Sequence, residues 1–317
     1  MVPAVCGGVV QVSGLGELSV NPSSSKVTEL PFVINLALST FIVIYAAAGV
    51  LQIFPAKVPM LAVVSLHVLP PLVFSFIHGA LFYRIRGIVT FLALCVIVGN
   101  ILENLGVRTG FPFGHYYFTE LMGPKLFVVP IMLGLAYTGM AYLSWTLARL
   151  ILPELQNLDG ANVLFVPLLA SCIMVAWDFS MDPIWATVLH GWIWLQGGVY
   201  FGVPATNFLG WYLTVYIIYQ LFALYLRRAP VGPTRWPSRY WRLAVIFYGV
   251  SATGNILLTI PRAGPTVVYD PAGAPWKVSN ITAASALVSI FVMGAFALLA
   301  WIRVKDRNSI IRVQGAV

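Results

Sequence analysis

The chain has 317 residues, of which 60% are hydrophobic and 9% charged, with a mean hydropathy of +0.89. Soluble domains carry roughly 25% charged residues, so this composition excludes a water-soluble globular protein. The formal net charge of +8 resembles a nucleic-acid signal, but its distribution along the chain assigns it to membrane topology instead.

Crossing a bilayer takes about 20 mostly apolar residues. Eight runs meet that length, at about 31–54, 59–82, 86–105, 126–149, 162–182, 207–226, 241–261 and 282–302. The expected fold class is therefore all-α, a polytopic membrane helical bundle of about eight transmembrane helices with re-entrant or interfacial outer loops. Residues 1–30, with NPSSSK in their middle, are too polar for a cleaved signal peptide and read as a polar N-terminal tail. Residues 31–302 read as a single transmembrane catalytic domain, and 303–317 as a basic cytoplasmic tail. No internal repeat is visible. In the eight-span topology thirteen Lys and Arg fall on one side and five on the other. The positive-inside rule then places both termini in the cytoplasm, which leaves a lipid bilayer and no nucleic acid among the expected partners. Cys6, Cys95 and Cys172 have no disulfide or metal spacing, and no metal site is expected. An Asn280-Ile281-Thr282 sequon falls on the outer side.

In chain order, the second span carries His67 and His78, eleven residues apart and so about 16 Å along the helix, which reads as packing and not as a metal pair. The third span ends in Glu103, flanked by Asn100 and Asn104, which are expected to satisfy it or cap the helix. The loop that follows, GVRTGFPFGHYYFTELMGPK, has the glycines and proline of tight turns and the aromatics of an interface. The fifth span closes with VAWDFSMDP, placing Asp178 and Asp182 four residues apart on one helical face. Pro183 disfavours further helix, so Asp182 is expected at the mouth. The stretch 183–207 is too apolar for a water-exposed loop and too broken by glycine and proline for a span, which fits an interfacial or re-entrant segment. Five of the ten tryptophans fall between Trp177 and Trp211, and Trp192 and Trp194 suit an aromatic belt.

Of the ten acidic residues, only Glu103, Asp178 and Asp182 lie in or at the ends of spans. A carboxylate at the centre of a membrane helix costs about 2.5–3.5 kcal/mol on insertion scales. No Lys or Arg within the same span interiors offsets that cost, and the topology brings all three acids to the outer half of the membrane. A carboxyl group in an apolar pocket can stay protonated near neutral pH and so protonate a carbon–carbon double bond. Aromatic faces stabilise the resulting cation. Acids and aromatics in a lipid-accessible cavity thus point to cation chemistry on an isoprenoid, although the same acids suit a proton pathway.

The residues Glu103-Asn-Leu-Gly-Val-Arg-Thr-Gly-Phe-Pro-Phe-Gly114, Tyr116, Gly123-Pro-Lys-Leu and Val129-Pro130 resemble the signature of the carotenoid-biosynthesis membrane proteins. That family includes the bisanhydrobacterioruberin and γ-carotene end-group hydratases. The similarity resumes at Ala176-Trp-Asp-Phe-Ser-Met-Asp-Pro183, Trp194, Gly197-Gly198-Val-Tyr-Phe-Gly202-Val-Pro204 and Asn207-Phe-Leu-Gly-Trp211, and covers about 85–225. Where the family often has Glu, Asp and Trp, this chain has His115, Glu120 and Tyr137. The resemblance implies addition of water across the terminal double bond of a linear carotenoid, giving a tertiary alcohol, with no metal or organic cofactor.

On this reading Asp178 gives the first proton, Asp182 tunes it as a coupled partner, and Glu103 orients water as a general base; Glu103 and Asp178 are equally able to exchange these roles. Trp177, Tyr116 and Trp211 are the candidate faces for the cation, with Trp194, His115, Asn207, Tyr200 and Arg108 as further substrate-binding candidates. A membrane terpene cyclase would share the protonation step and quench the cation by ring closure and proton loss. A prenyltransferase would want two aspartate-rich clusters for magnesium, and DFSMD stands alone. A proton-coupled lipophile transporter would use intramembrane acids as relays, usually within inverted repeats.

Overall fold

A computed structural model describes residues 29–54, 58–152, 158, 160–229, 236–261 and 264–314, with the side chains of 305–314 left aside. Most of the expected N-terminal tail, Cys6, Lys57, Glu154, Asp159, Arg235 and Arg262 therefore lie outside the described residues.

Each of the eight apolar runs becomes helix, because in hydrocarbon the backbone must satisfy its own N–H and C=O groups. Helix α1 is Phe32–Leu51, and α2 is Met60–Thr109. The second and third runs are continuous in α2, broken only at Arg84 (φ 60°, ψ 170°), so the fifty residues cross twice. α3 (Ile131–Ile151) starts later than its apolar run, because Lys125–Leu126 (β2) and Val129–Pro130 (β3) turn back on each other first. α4 is Asn162–Pro183, α5 Ala205–Arg228 and α6 Ser238–Leu257. α7, Val278–Val288, widens into a π-turn at Ser289–Met293 and continues as α8, Gly294–Gln314. Among the described residues six helices are long and apolar enough to span a membrane; counting α2 as two and adding the more polar α6 makes eight crossings.

Alternation of the crossings gathers the links after α1, α2, α4 and α6 on one face. Among the described residues, two β-hairpins and one long-range antiparallel pair lie in those links: the hairpins β2–β3 and Val267–Tyr269 (β5) with Pro275–Lys277 (β6), and the pair of Tyr116–Phe118 (β1) with Trp192–Trp194 (β4). We call this the hairpin face. α3 is the central helix, and every residue from Tyr137 to Leu150 is buried. Outward positions such as Val33, Leu209 and Phe291 are exposed and apolar, as lipid contact requires. His78 packs as the sequence suggests. Its Nε2–H donates to the Tyr240 carbonyl at 3.0 Å and its Nδ1 accepts the Tyr142 hydroxyl at 2.6 Å, tying α2, α3 and α6 together.

Contrary to expectation, the helical path does not stop at Pro183, where α4 ends. The chain carries on through a π-turn, Ile184–Val188, closed by Leu189 N–H donating to Ile184 O at 2.9 Å. Pro183 has no N–H to give the Phe179 carbonyl one turn back, and that carbonyl accepts the Tyr200 hydroxyl at 3.3 Å instead. Asp182 is consequently enclosed and not at a mouth.

Candidate active site

The loop after α2 is shaped by one side chain. Gly110 ends the helix with φ +83°, a conformation glycine adopts without penalty. The chain then folds back to bury Phe113 between α2 and α5. A Cβ on Gly106 would stand 2.6 Å from the Phe113 ring, and one on Gly210 would stand 2.7 Å from it. Both helices must carry glycine there for the ring to fit. This wedge fixes β1, and pairing Tyr116 with Trp194 and Phe118 with Trp192 brings β4 over the same spot.

Beneath these strands sit the three acids, with exposures of 2% for Glu103, 0% for Asp178 and 1% for Asp182. Glu103 Oε2 accepts the Tyr116 hydroxyl and Oε1 accepts the Tyr137 hydroxyl. Burial first, then the neighbouring Glu103, pushes the Tyr116 phenol well above its ordinary pKa, so it stays protonated as a donor. Asp182 Oδ1 accepts the Trp192 indole N–H at 2.7 Å. The Asn207 side-chain amide donates to Oδ2 of both aspartates, at 3.3 Å in the case of Asp178. Asp178 Oδ1 is buried without a hydrogen-bond partner. The spacing of four residues thus does align the two aspartates, and Asn207 from α5 bridges them.

A cavity of about 20 Å³ lies against Glu103, Tyr116 and Asn207, with Trp194 and Trp211 among its walls. That volume suits about one water molecule. Leu133 and Trp192 also line a larger apolar cavity of about 70 Å³, whose other walls include Trp177, Met181, Trp185 and His67.

The expected site residues divide accordingly. Tyr116, Trp194, Asn207 and Trp211 line the acid chamber together with Glu103. Trp177 lines the apolar cavity instead. The Tyr200 hydroxyl donates to the Phe179 carbonyl at 3.3 Å, bracing the loop behind α4. His115 is exposed and packs over Gly110, and Arg108 is exposed in the last turn of α2; neither lines the chamber. Asn100 and Asn104 do not serve Glu103: Asn104 donates to Asn100 and accepts from Val128 N–H at 3.3 Å. Two contributors went unread in the sequence. Tyr137 stood out only as a departure from the family pattern, and Trp192, assigned to an aromatic belt, is a buried donor to an acid.

Residues 58–262 match the carotenoid biosynthesis protein family, and the chain belongs to it. It is also similar to the bisanhydrobacterioruberin hydratase of Haloarcula japonica, at 30% identity over 129 residues. That stretch is 40% of this chain and 42% of the relative, less than half of each. No solved structure matches the chain.

Proposed function

We propose that this protein is a membrane enzyme that adds water to the terminal double bond of a linear carotenoid or similar isoprenoid. The observation that carries the reading is the water-sized cavity enclosed by Glu103, Tyr116 and Asn207 beside two bridged aspartates. The similarity to a hydratase supports the same chemistry.

In the proposed reaction Asp178 carries the proton on Oδ1, the oxygen free of other hydrogen bonds. It transfers that proton to the less substituted alkene carbon, leaving a tertiary cation beside Trp211 and Tyr116. A cation over an aromatic face gains about 2 kcal/mol when desolvated. Water in the small cavity attacks the cation, and Glu103 takes the proton that water releases. One C–H, one C–O and one O–H bond form while the alkene π bond and one bond each in the acid and the water break. Passing the proton from Glu103 back to Asp178 restores the starting state, so the net change is one added water. Two tyrosine donors hold Glu103 as the acceptor this step needs. The apolar cavity lined by Trp177 marks the side from which the adjoining polyene approaches, and the prenyl end passes Leu133 and Trp192 to reach the acids. By the positive-inside rule, the face bearing Arg84, Arg149, Arg227 and Arg228 is cytoplasmic.

The test is expression in a lycopene-producing bacterium with mass spectrometry of the pigments. The expected product has gained one water, and Asp178→Asn loses it while the protein remains in the membrane at normal level. A product isomeric with lycopene would instead mean ring closure, and near-normal hydration by Asp178→Asn would remove that residue from its role.

A further inference from the structure

Hydration consumes a water at every turnover, yet the chamber is walled by apolar helices and roofed by the Phe113 wedge. Against its hairpin side lies a third cavity, of about 150 Å³, enough for several waters. Its walls come from two separate links: Thr187, His190 and Ile193 from the one between α4 and α5, and Tyr269 and Asp270 from the one after α6. The rim is open, with His190 exposed and Tyr269 65% exposed.

The far wall is rigid. Asp270 Oδ1 accepts Ala274 N–H at 3.0 Å and Oδ2 accepts the Trp276 indole at 2.9 Å. Glycines 197 and 202 lie so close that a Cβ on either would come within about 3 Å of the Asp270 side chain. The volume of this cavity thus does not depend on a pliable loop.

Trp194 is the residue that lines both this cavity and the acid chamber. Its side chain is buried, and its indole N–H faces the Asp182 carboxyl. Its ring lies 4.7 Å from that of Tyr116, the donor to Glu103. A polar donor directed at a buried acid, in a ring that also lines an open polar cavity, is placed to pass water along.

We infer that this cavity is a water-binding vestibule, and that water reaches the buried acids from the hairpin face past the Trp194 indole. Its purpose rests on the hydration proposed above; its test does not. The apolar cavity beside Trp177 is then left to the hydrocarbon, so the two reactants arrive by different routes.

Hydroxyl-radical footprinting of the whole protein in lipid nanodiscs reads water contact directly. Trp194 and Tyr116 are expected to be oxidised although buried, whereas Trp145, fully buried in α3, is not. A plug installed after folding avoids misfolding: Ile193→Cys, in a Cys6→Ser, Cys172→Ser background, is treated with a bulky charged thiol reagent. Modification is expected from one side of the membrane only, with a several-fold fall in oxidation of Trp194 and Tyr116. The inference is overturned if both residues stay as unoxidised as Trp145, if the introduced thiol is not modified, or if the plug leaves their oxidation unchanged. Footprinting as expected with no hydrated pigment would keep the vestibule and remove the hydration reading. Hydrated pigment without the footprint would do the reverse.

Discussion

The Tyr137 ring stacks on the Trp211 indole with centroids 4.2 Å apart and planes 14° apart, while its hydroxyl donates to Glu103. One residue of the central helix thereby joins an aromatic wall to a buried acid.

Removing that hydroxyl separates the two roles. A hydrogen bond to a charged group is worth about 1.5–3 kcal/mol, so Tyr137→Phe is expected to slow pigment conversion by roughly 10- to 100-fold. Melting of the detergent-solubilised protein should fall as well, but modestly, since the stack remains and Tyr116 still donates to Glu103. Tyr137→Trp, which installs the residue common in the family, keeps a ring face and an N–H donor. It should retain more activity than Tyr137→Phe; the opposite order would show that the hydrogen bond is idle.

Asn207 holds both aspartates through one amide, so Asn207→Leu leaves two buried carboxyl groups short of a donor. The cost of an unsatisfied buried polar group is about 1–3 kcal/mol. Lower thermal stability together with loss of hydration is the expected result. Asn207→Asp, which crowds a third carboxyl group against the pair, should be worse than Asn207→Leu in both assays.

The Phe113 wedge predicts a structural pair. Gly106→Ala and Gly210→Ala each drive a methyl group into the ring, at 2.6 and 2.7 Å, and overpacking of this kind costs about 1–3 kcal/mol. Phe113→Leu should partly rescue the melting temperature of either alanine variant. The rescue should be larger for Gly106→Ala, because a Cβ on Gly210 would also stand 2.9 Å from the Pro112 carbonyl oxygen; no rescue of Gly106→Ala would mean that the ring is not what its methyl group meets.

His115 belongs to the expected site in the sequence but packs over Gly110, away from the chamber. His115→Glu should therefore change conversion by no more than about twofold, as for an ordinary surface substitution. A large change, or a change of product, would return this residue to substrate selection.

Much of the fold was legible because a bilayer leaves few options: run length alone located eight helices. The acids were legible because charge within a span is costly, and Asp178 and Asp182 were alignable because four residues make about one turn. Tyr137 gave no such alarm, since a neutral aromatic in an apolar helix costs little. Trp192 fitted an interface as well as a site until β1 and β4 were seen to pair. Trp177 departs from expectation for a geometric reason. Adjacent helical residues point about 100° apart, so the neighbour of Asp178 opens onto a different cavity. The π-turn after Pro183 had no sequence signature at all, and with it went the position of Asp182.

Phe113, clasped by a glycine on each of two helices, also governs traffic. On the hydration proposed above, with the roof keyed into α2 and α5, a long hydrocarbon would load sideways from the leaflet and its alcohol would leave the same way. Throughput then follows the mole fraction of pigment dissolved in the membrane and not any aqueous concentration, so diluting the substrate with inert lipid slows the catalyst even when the total amount of both is held constant.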